Sequence, residues 1–382
     1  MSEIKVNSIK GVGASAAAIT VNNTDGTCSA KLTDNGGLQF ANRNKIINGE
    51  FRVNQRNHSG SAGHNAYTLD RWRYARSANT EFSQDQSTVT PDGFANSVKM
   101  TSIGSNGSTG SSDYAYWRYF IEGQDLQELN KGTSAATAFT LSFYFKSDVT
   151  GTFAISILDE NSRMCNANYT VSNTNWNRYT ITIPADTTGT IANSNGVGLQ
   201  IKFWIVAGSN YTSGSAVHTW GSYSAASEAS GFNAHITTNG VNLYLTGVQL
   251  EISDYATPFE HRSFAQELAL CQRYYYLMAP RTAEAAVCTT INFDNTDQAI
   301  IRFPVEMRAT PSLEVSNFSQ AFRVYGSGSG RNVSTVSSST PSLSTKVMHL
   351  TVAGGSTGNL AYLRIYASNS GVYATIAAGA EL

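Results

Sequence analysis

Alternation of apolar and polar positions recurs through most of the chain. In Phe139 to Phe145 (FTLSFYF), Phe139, Leu141, Phe143 and Phe145 share one face of an extended segment. Tyr179 to Ile183 (YTITI), Leu199 to Val206 (LQIKFWIV) and Val241 to Leu250 (VNLYLTGVQL) also read as strands. Polar, turn-rich stretches such as Ser102 to Asp113 and Ser213 to Ser230 separate them. Several such strands between residues 46 and 259 predict a two-sheet β-sandwich, with a jelly roll as the best version. Few segments carry a helical period, which argues against an α/β enzyme built on a parallel sheet.

The stretch Tyr244 to Tyr276 marks a boundary. Tyr244 to Ile252 alternates, Pro258 stops the ladder, and Ser263 opens the one convincing helix. Ser263 with Gln266 three positions on is a capping-box pattern, and the helix is predicted over Ser263 to Leu277. Phe264, Leu268, Cys271 and Tyr275 form one apolar stripe; Leu270, Tyr274 and Leu277 form another. Together they cover about half the circumference, more than a surface helix needs. The helix should therefore be gripped on two sides, by its own module and by a neighbouring subunit, or by two modules of one chain. Glu267 lies inside this arc and should need a cation such as Arg262 or Arg273. Phe264, Glu267, Leu268, Leu270, Cys271, Tyr274 and Tyr275 are accordingly the predicted oligomer interface.

Short strands follow at Cys288 to Phe293, Ala299 to Phe303, Leu313 to Val315, Val347 to Val352 and Leu360 to Ala367. The chain so divides into residues 1–45, a short β-rich segment; 46–259, the sandwich; and 260–382, the helix and a C-terminal β domain. In the first, Ile4, Val6, Ile9, Ile19 and Val21 are too sparse to close a core. That segment needs copies of itself or a docking surface; a disordered leader is the alternative.

Composition removes several function classes. Charged residues are 14% of the chain and the net charge is -1, which leaves no basic field for nucleic acid or an anionic membrane. No apolar run is long enough for membrane insertion, and MSEIKVNSIKG lacks the apolar core of a secretory signal. Cys28, Cys165, Cys271 and Cys288 form no C-x-x-C pair and read as thiols of a protein made in a reducing cytosol. Tyr (19) and Phe (17) are plentiful, as suits an all-β chain.

No catalytic motif is present. The GSGSG at Gly326 to Gly330 has glycine where a nucleophile elbow needs serine, and the six histidines are dispersed. Glycoside hydrolysis needs only two carboxylates, and Asp113, Glu122, Asp125, Glu128, Asp159 and Glu160 are candidates whose bland reading is solvated groups and loop caps. Aromatic residues are better candidates, because sugars stack their C–H faces on flat rings. Trp204 and Trp72 read as core. Trp220 and Tyr223 lie in the polar loop HTWGSYSAASEAS and are candidate ligand contacts. Arg323, Tyr325, Arg331, Tyr366 and Tyr373 sit in or beside Gly/Ser-rich loops and are candidates too, with packing against a neighbouring copy as the rival reading.

Several motifs carry a family resemblance. NKIINGEFRVNQR (Asn44 to Arg56) and LDRWRY (Leu69 to Tyr74) resemble the opening of a module of tailed-bacteriophage fibre proteins. EGQDLQEL, LSFYFKSDVTGTF, WNRYTITIPADTTGT, NGVGLQIKFWI and the Tyr244 to Tyr276 stretch continue it in order. FPVEMRATPS (Phe303 to Ser312) is similar to a motif of C-terminal fibre regions, and IKVNSIKGVGA to leaders of fibre-like proteins of marine phages.

The resemblance implies a homotrimeric tail fibre with a carbohydrate-binding-like jelly roll. It would be made in the host cytoplasm, carried on the virion, docked to other tail or capsid proteins through residues 1–45, and bound to a host surface glycan. The helix would then lie at or near the three-fold axis. Sugar-binding jelly rolls often hold a structural calcium, for which Glu50 and Glu251 are weak candidates; no other cofactor is implied. A head decoration or connector without a receptor role, and a polysaccharide depolymerase, are the competing functions.

Overall fold

The computed structural model describes residues 8–9, 19–21, 24, 28–30 and 42–382, apart from 104–108, 217, 235, 237, 279–284, 294–295, 317–321, 327–328, 339–343, 354–359 and 366–374. It is all-β with a two-sheet sandwich at its centre. Seven strands form one sheet, in spatial order Gly221–Ser222, Arg163–Val171, Gly151–Asp159, Val197–Ala207, Tyr114–Glu122, Arg73–Arg76 and Ala66–Tyr67. Five form the other, in the order Asn177–Ile183, Phe139–Ser147, Asn242–Glu251, Ser97–Ser102 and Phe82–Ser87. Every ladder is antiparallel. The alternation read from FTLSFYF holds: Phe139, Leu141, Phe143 and Phe145 all point into the core, where Phe143 meets Phe203 of the opposite sheet edge-on at 5.2 Å.

Trp72 is core, as expected, but Arg71 is not on the outside. Its backbone takes the left-handed conformation (φ 71°) and its side chain is 1% exposed. The guanidinium stacks 3.4 Å from the Tyr274 ring centroid and pairs with Glu381 at 2.8 Å.

The helix runs over Phe264–Gln272 with Ser263 as its N-cap, whose Oγ accepts from the Gln266 N–H at 3.3 Å. It ends earlier than its periodicity predicts. Tyr275–Leu277 is a strand, paired antiparallel with Thr375–Gly379, and its backbone hydrogen bonds go there. The C-terminal unit continues with a three-stranded sheet, Tyr275–Leu277, Thr375–Gly379 and Ser312–Ser316. A seven-stranded sheet completes it, in the order Ser329–Asn332, Phe322–Gly326, Leu360–Ile365, Ala285–Phe293, Thr296–Arg302, Val347–Ala353 and Thr335–Ser338. Near the N-terminus, Ser8–Ile9, Ile19–Val21 and Cys28–Ala30 form a small antiparallel sheet.

Candidate functional site

The loop holding Trp220 and Tyr223 folds back over the outer face of the seven-stranded sandwich sheet. Tyr211, Ala229 and Phe232 pack there against Ala75, Tyr116, Ala154 and Trp204 as a second, smaller apolar cluster. Glu228, buried under this flap, pairs with Lys202 and accepts from Ser156 at 3.2 Å and from the Tyr223 hydroxyl at 2.8 Å. Burial pulls Lys202 below the usual lysine range despite its carboxylate partner. Tyr223 is thus a flap tether with part of its ring in solvent.

Trp220 is more fully committed. Its indole N–H donates to Pro184 O at 2.8 Å, and its ring lies 4.3 Å from Lys131 Nζ. Lys131 in turn is held by Asp159 and Asp186, and Arg163 closes the cluster onto Asp186 at 2.7 Å. Burial would raise the Asp186 carboxyl, but the bonds from Arg163 and Lys131 outweigh it and hold it well below the usual carboxylate range. A depressed folded value means stability that is present above the unfolded value of about 3.9 and lost as pH falls below it. The wild type should therefore lose its stability advantage over Asp186→Asn between about pH 4 and pH 2 in thermal melts, and an unchanged difference across that range would refute the assignment.

The outer face of the five-stranded sheet offers a different surface. Alternate positions that miss the core carry Tyr144 and Lys146 on one strand and Tyr244 on its neighbour, where Tyr244 pairs with Lys146. Trp176, just before the edge strand, approaches Tyr244 at 6.1 Å between centroids, and Lys146 Nζ lies 5.6 Å from the Tyr244 ring. Phe94 packs on Tyr144 at 5.1 Å, and Phe259 and His261 extend the group. Gly247, at φ +60°, makes room: a Cβ there would lie 2.7 Å from Phe94 and 2.9 Å from Tyr144. Trp176, Tyr144 and Phe94 each keep part of their surface in solvent. Asn242, bonded to Asp148 at 2.8 Å, supplies polar groups beside them. A row of flat rings edged by amide, carboxylate and ammonium groups can stack a sugar and bond its hydroxyls. This row was not singled out in sequence, although the even positions of FTLSFYF announce it.

The predicted interface residues split. Glu267, Cys271, Tyr274 and Tyr275 are buried within the chain itself. Glu267 accepts from the Asn48 backbone N–H and meets Arg262 at 3.5 Å, so the cation it was expected to need comes from its own subunit. Arg273 instead pairs with buried Glu122 at 2.8 Å, which also accepts from the Tyr274 hydroxyl. Leu268 and Leu270 are half-buried, and Phe264 is 49% exposed.

In the C-terminal unit, Tyr325 stacks on Tyr362 at 5.6 Å and 15°, with Arg323 beside it on the same strand. Arg331 lies in the strand Ser329–Asn332, and its side chain is outside what the structure describes, as are residues Tyr366 and Tyr373. Glu50 and Glu251 do not make a calcium set. Glu50 faces His261 and Arg52, whereas Glu251 accepts from the Thr257 N–H and hydroxyl, each at 2.8 Å. Among the described residues no three His, Cys, Asp or Glu side chains group as metal ligands. Of the carboxylates weighed for hydrolysis, Asp113 caps Gly110, Glu122 holds Arg273, Asp159 holds Lys131 and Glu160 accepts from the Ala192 N–H, whereas Asp125 and Glu128 are exposed. A polar cleft of about 820 Å³ runs between sandwich and C-terminal unit, lined by Arg56, Tyr67, Arg308, Glu314 and Glu381.

A family model described as CARDB matches residues 128–197. No curated protein matches the chain. Among solved structures, the enzymatically active domain of tailspike protein 4 of bacteriophage CBA120 is 12% identical (TM-score 0.31). That match covers 55% of this chain and 22% of the tailspike chain, so this chain spans about a fifth of it. A family 11 carbohydrate-binding module from Clostridium thermocellum, in complex with a β-1,3-1,4-mixed-linked tetrasaccharide, is 10% identical over 52% of this chain and 98% of its own (TM-score 0.28). A putative sugar binding protein from Bacteroides thetaiotaomicron is 10% identical over 55% and 100% (TM-score 0.30). The assignment of a β-sandwich stands on the chain's own two sheets.

Proposed function

We propose that this chain is a homotrimeric virion appendage whose sandwich binds a host surface glycan. The observation that carries the binding reading is the row of partly exposed Trp176, Tyr144 and Phe94 around buried Tyr244 on the outer face of the five-stranded sheet. Aromatic faces beside fixed polar groups suit a sugar, which offers C–H patches and hydroxyls together. The ordered motifs shared with phage fibres support the virion setting, and the small N-terminal sheet would dock on the particle. Buried, unpaired Cys165 and Cys271 fit synthesis in the reducing host cytoplasm. The reading makes the chain a binder rather than an enzyme. Three copies per fibre raise a weak single-site affinity through effective concentration.

Binding to a glycan array should be lost or weakened about thirtyfold by Trp176→Ala, a hot-spot loss of about 2 kcal/mol, with no change in melting temperature. An array blank for the wild type, with sedimentation as a trimer, would favour a purely structural decoration or connector. Sedimentation as a monomer would sink the fibre reading. New reducing ends in host polysaccharide would convert the binder into a depolymerase.

A further inference from the structure

Beneath the flap that carries Tyr211, Ala229 and Phe232, an amine and a carboxylate are pressed together in an apolar site. Lys202 and Glu228 are 7% and 2% exposed, and Lys202 Nζ donates to Glu228 Oε2. The other partners of the carboxylate are neutral hydroxyls. Ser156 reaches Oε2 at 3.2 Å, and Tyr223 reaches Oε1 at 2.8 Å. The Trp204 indole N–H fixes Ser156 at 2.9 Å. The Tyr116 and Trp204 ring centroids lie 5.1 and 5.9 Å from Lys202 Nζ. On the next strand Arg118 stands opposite Lys202, and its charge works against the ammonium.

We propose that Lys202 and Glu228 join in an isopeptide bond that staples the flap to the sheet. The ion pair first becomes a neutral pair, as one proton passes from Nζ to Oε2. Burial favours that state, since it disfavours the ammonium more than the carboxylate beside it restores it. A desolvated lysine amine is a nucleophile. Nζ attacks Glu228 Cδ, and negative charge gathers on Oε1, where the Tyr223 hydroxyl donates. Burial and the Glu228 carboxylate raise that phenol, so it stays protonated and able to donate. A second proton passes from Nζ to Oε2, the C–O bond breaks, one water leaves, and the amide keeps the third hydrogen. The step needs no oxidant and no cofactor, and so proceeds in a reducing compartment where a disulfide does not persist. The Lys131 cluster lacks this chemistry: two aspartates surround its ammonium, and Arg163 helps to hold Asp186 ionised. The inference is independent of the glycan reading.

The test is mass spectrometry of the full chain, whole and after denaturation and trypsin. The intact protein should be one water lighter than its sequence. Lys202 is the one tryptic site between Arg178 and Arg262, and an acylated lysine is not cut. Residues Tyr179 to Arg262 should therefore emerge as a single peptide, one water light, whose fragments place the link between Lys202 and Glu228. Cleavage after Lys131 shows that digestion is complete. Lys202→Arg, which keeps the cation but cannot form the amide, should restore the full mass. Tyr223→Phe should slow closure about a hundredfold, so that freshly made protein is largely unlinked. Reading the link directly in the wild type covers the case of a variant that does not fold. The proposal is overturned if the wild type has its full mass and is cut after Lys202, if the missing water persists in Lys202→Arg, or if Tyr223→Phe closes as fast as the wild type.

Discussion

Replacing Glu381 by alanine is expected to cost about 3–5 kcal/mol, the loss seen when a buried pair is broken from one side. Its carboxylate lies between two guanidiniums, 2.8 Å from Arg71 and 3.1 Å from Arg56. Arg71 cannot turn to solvent: Tyr274 covers it at 3.4 Å, the Tyr119 ring centroid lies 5.2 Å away, and it donates to the Phe120 carbonyl at 2.7 Å. Arg56 is clamped on Tyr275 at 3.7 Å. Without Glu381, the two buried cations lose the carboxylate between them, although Arg56 keeps the attraction of Asp70 and Glu314. Glu381→Gln keeps an acceptor and should lose roughly half as much. Urea unfolding of the full chain measures both, and a loss under about 1 kcal/mol for the alanine variant would show that water already screens this site. The consequence reaches function. Glu381, Arg56 and Arg71 join the last residues of the chain to the sandwich, so their loss should let the C-terminal unit swing relative to the aromatic row proposed to bind glycan.

That junction was the least legible part of the sequence. The sandwich strands were readable because each advertises one buried face at period two, a local signal. Arg71 in DRWRY gave no such signal, since its burial depends on Glu381, 310 positions later. The helix end was misread for the same reason. Tyr275 continues an apolar stripe, yet the partner that draws it into a strand, Gly379, lies a hundred residues on. Trp220 looked like a stranded loop aromatic, but Lys131 and Pro184 from two other connections hold it. Tyr144 and Tyr244 lie in the outward phase of their strands, with Trp176 just before a third, and were not singled out in sequence. The inward phase identified the fold, and the outward phase was where the candidate ligand surface lay. Arg323 and Tyr325 were singled out because they flank glycine-rich loops, but the residues opposite them, Arg364 and Tyr362, are set by strand register.

Glu267→Ala should destabilise the chain by about 3 kcal/mol, and by the same amount at every protein concentration. The helix presents Glu267 inward, where it takes the buried Asn48 N–H and a contact from Arg262. Burial raises this carboxyl above its usual range even though Asn48 and Arg262 favour its charged form. Alanine would leave the buried Asn48 N–H without its acceptor, while Arg262 would keep the Ile46 and Asn44 carbonyls. Phe264→Ser is the counterpart. Phe264 is half-exposed at the first turn, with Arg52 5.9 Å from its ring centroid, and its loss should change folding stability by well under about 1 kcal/mol. If a neighbouring subunit grips this helix, it does so through Phe264, Leu268 and Leu270, and Phe264→Ser will weaken the trimer in a way that rises as protein is diluted. Chemical denaturation at two concentrations separates the cases, because intrachain contacts give a midpoint independent of concentration and subunit contacts do not. A concentration-dependent loss in Glu267→Ala would mean that its anchor, though satisfied within one chain, also sets the geometry of the subunit contact.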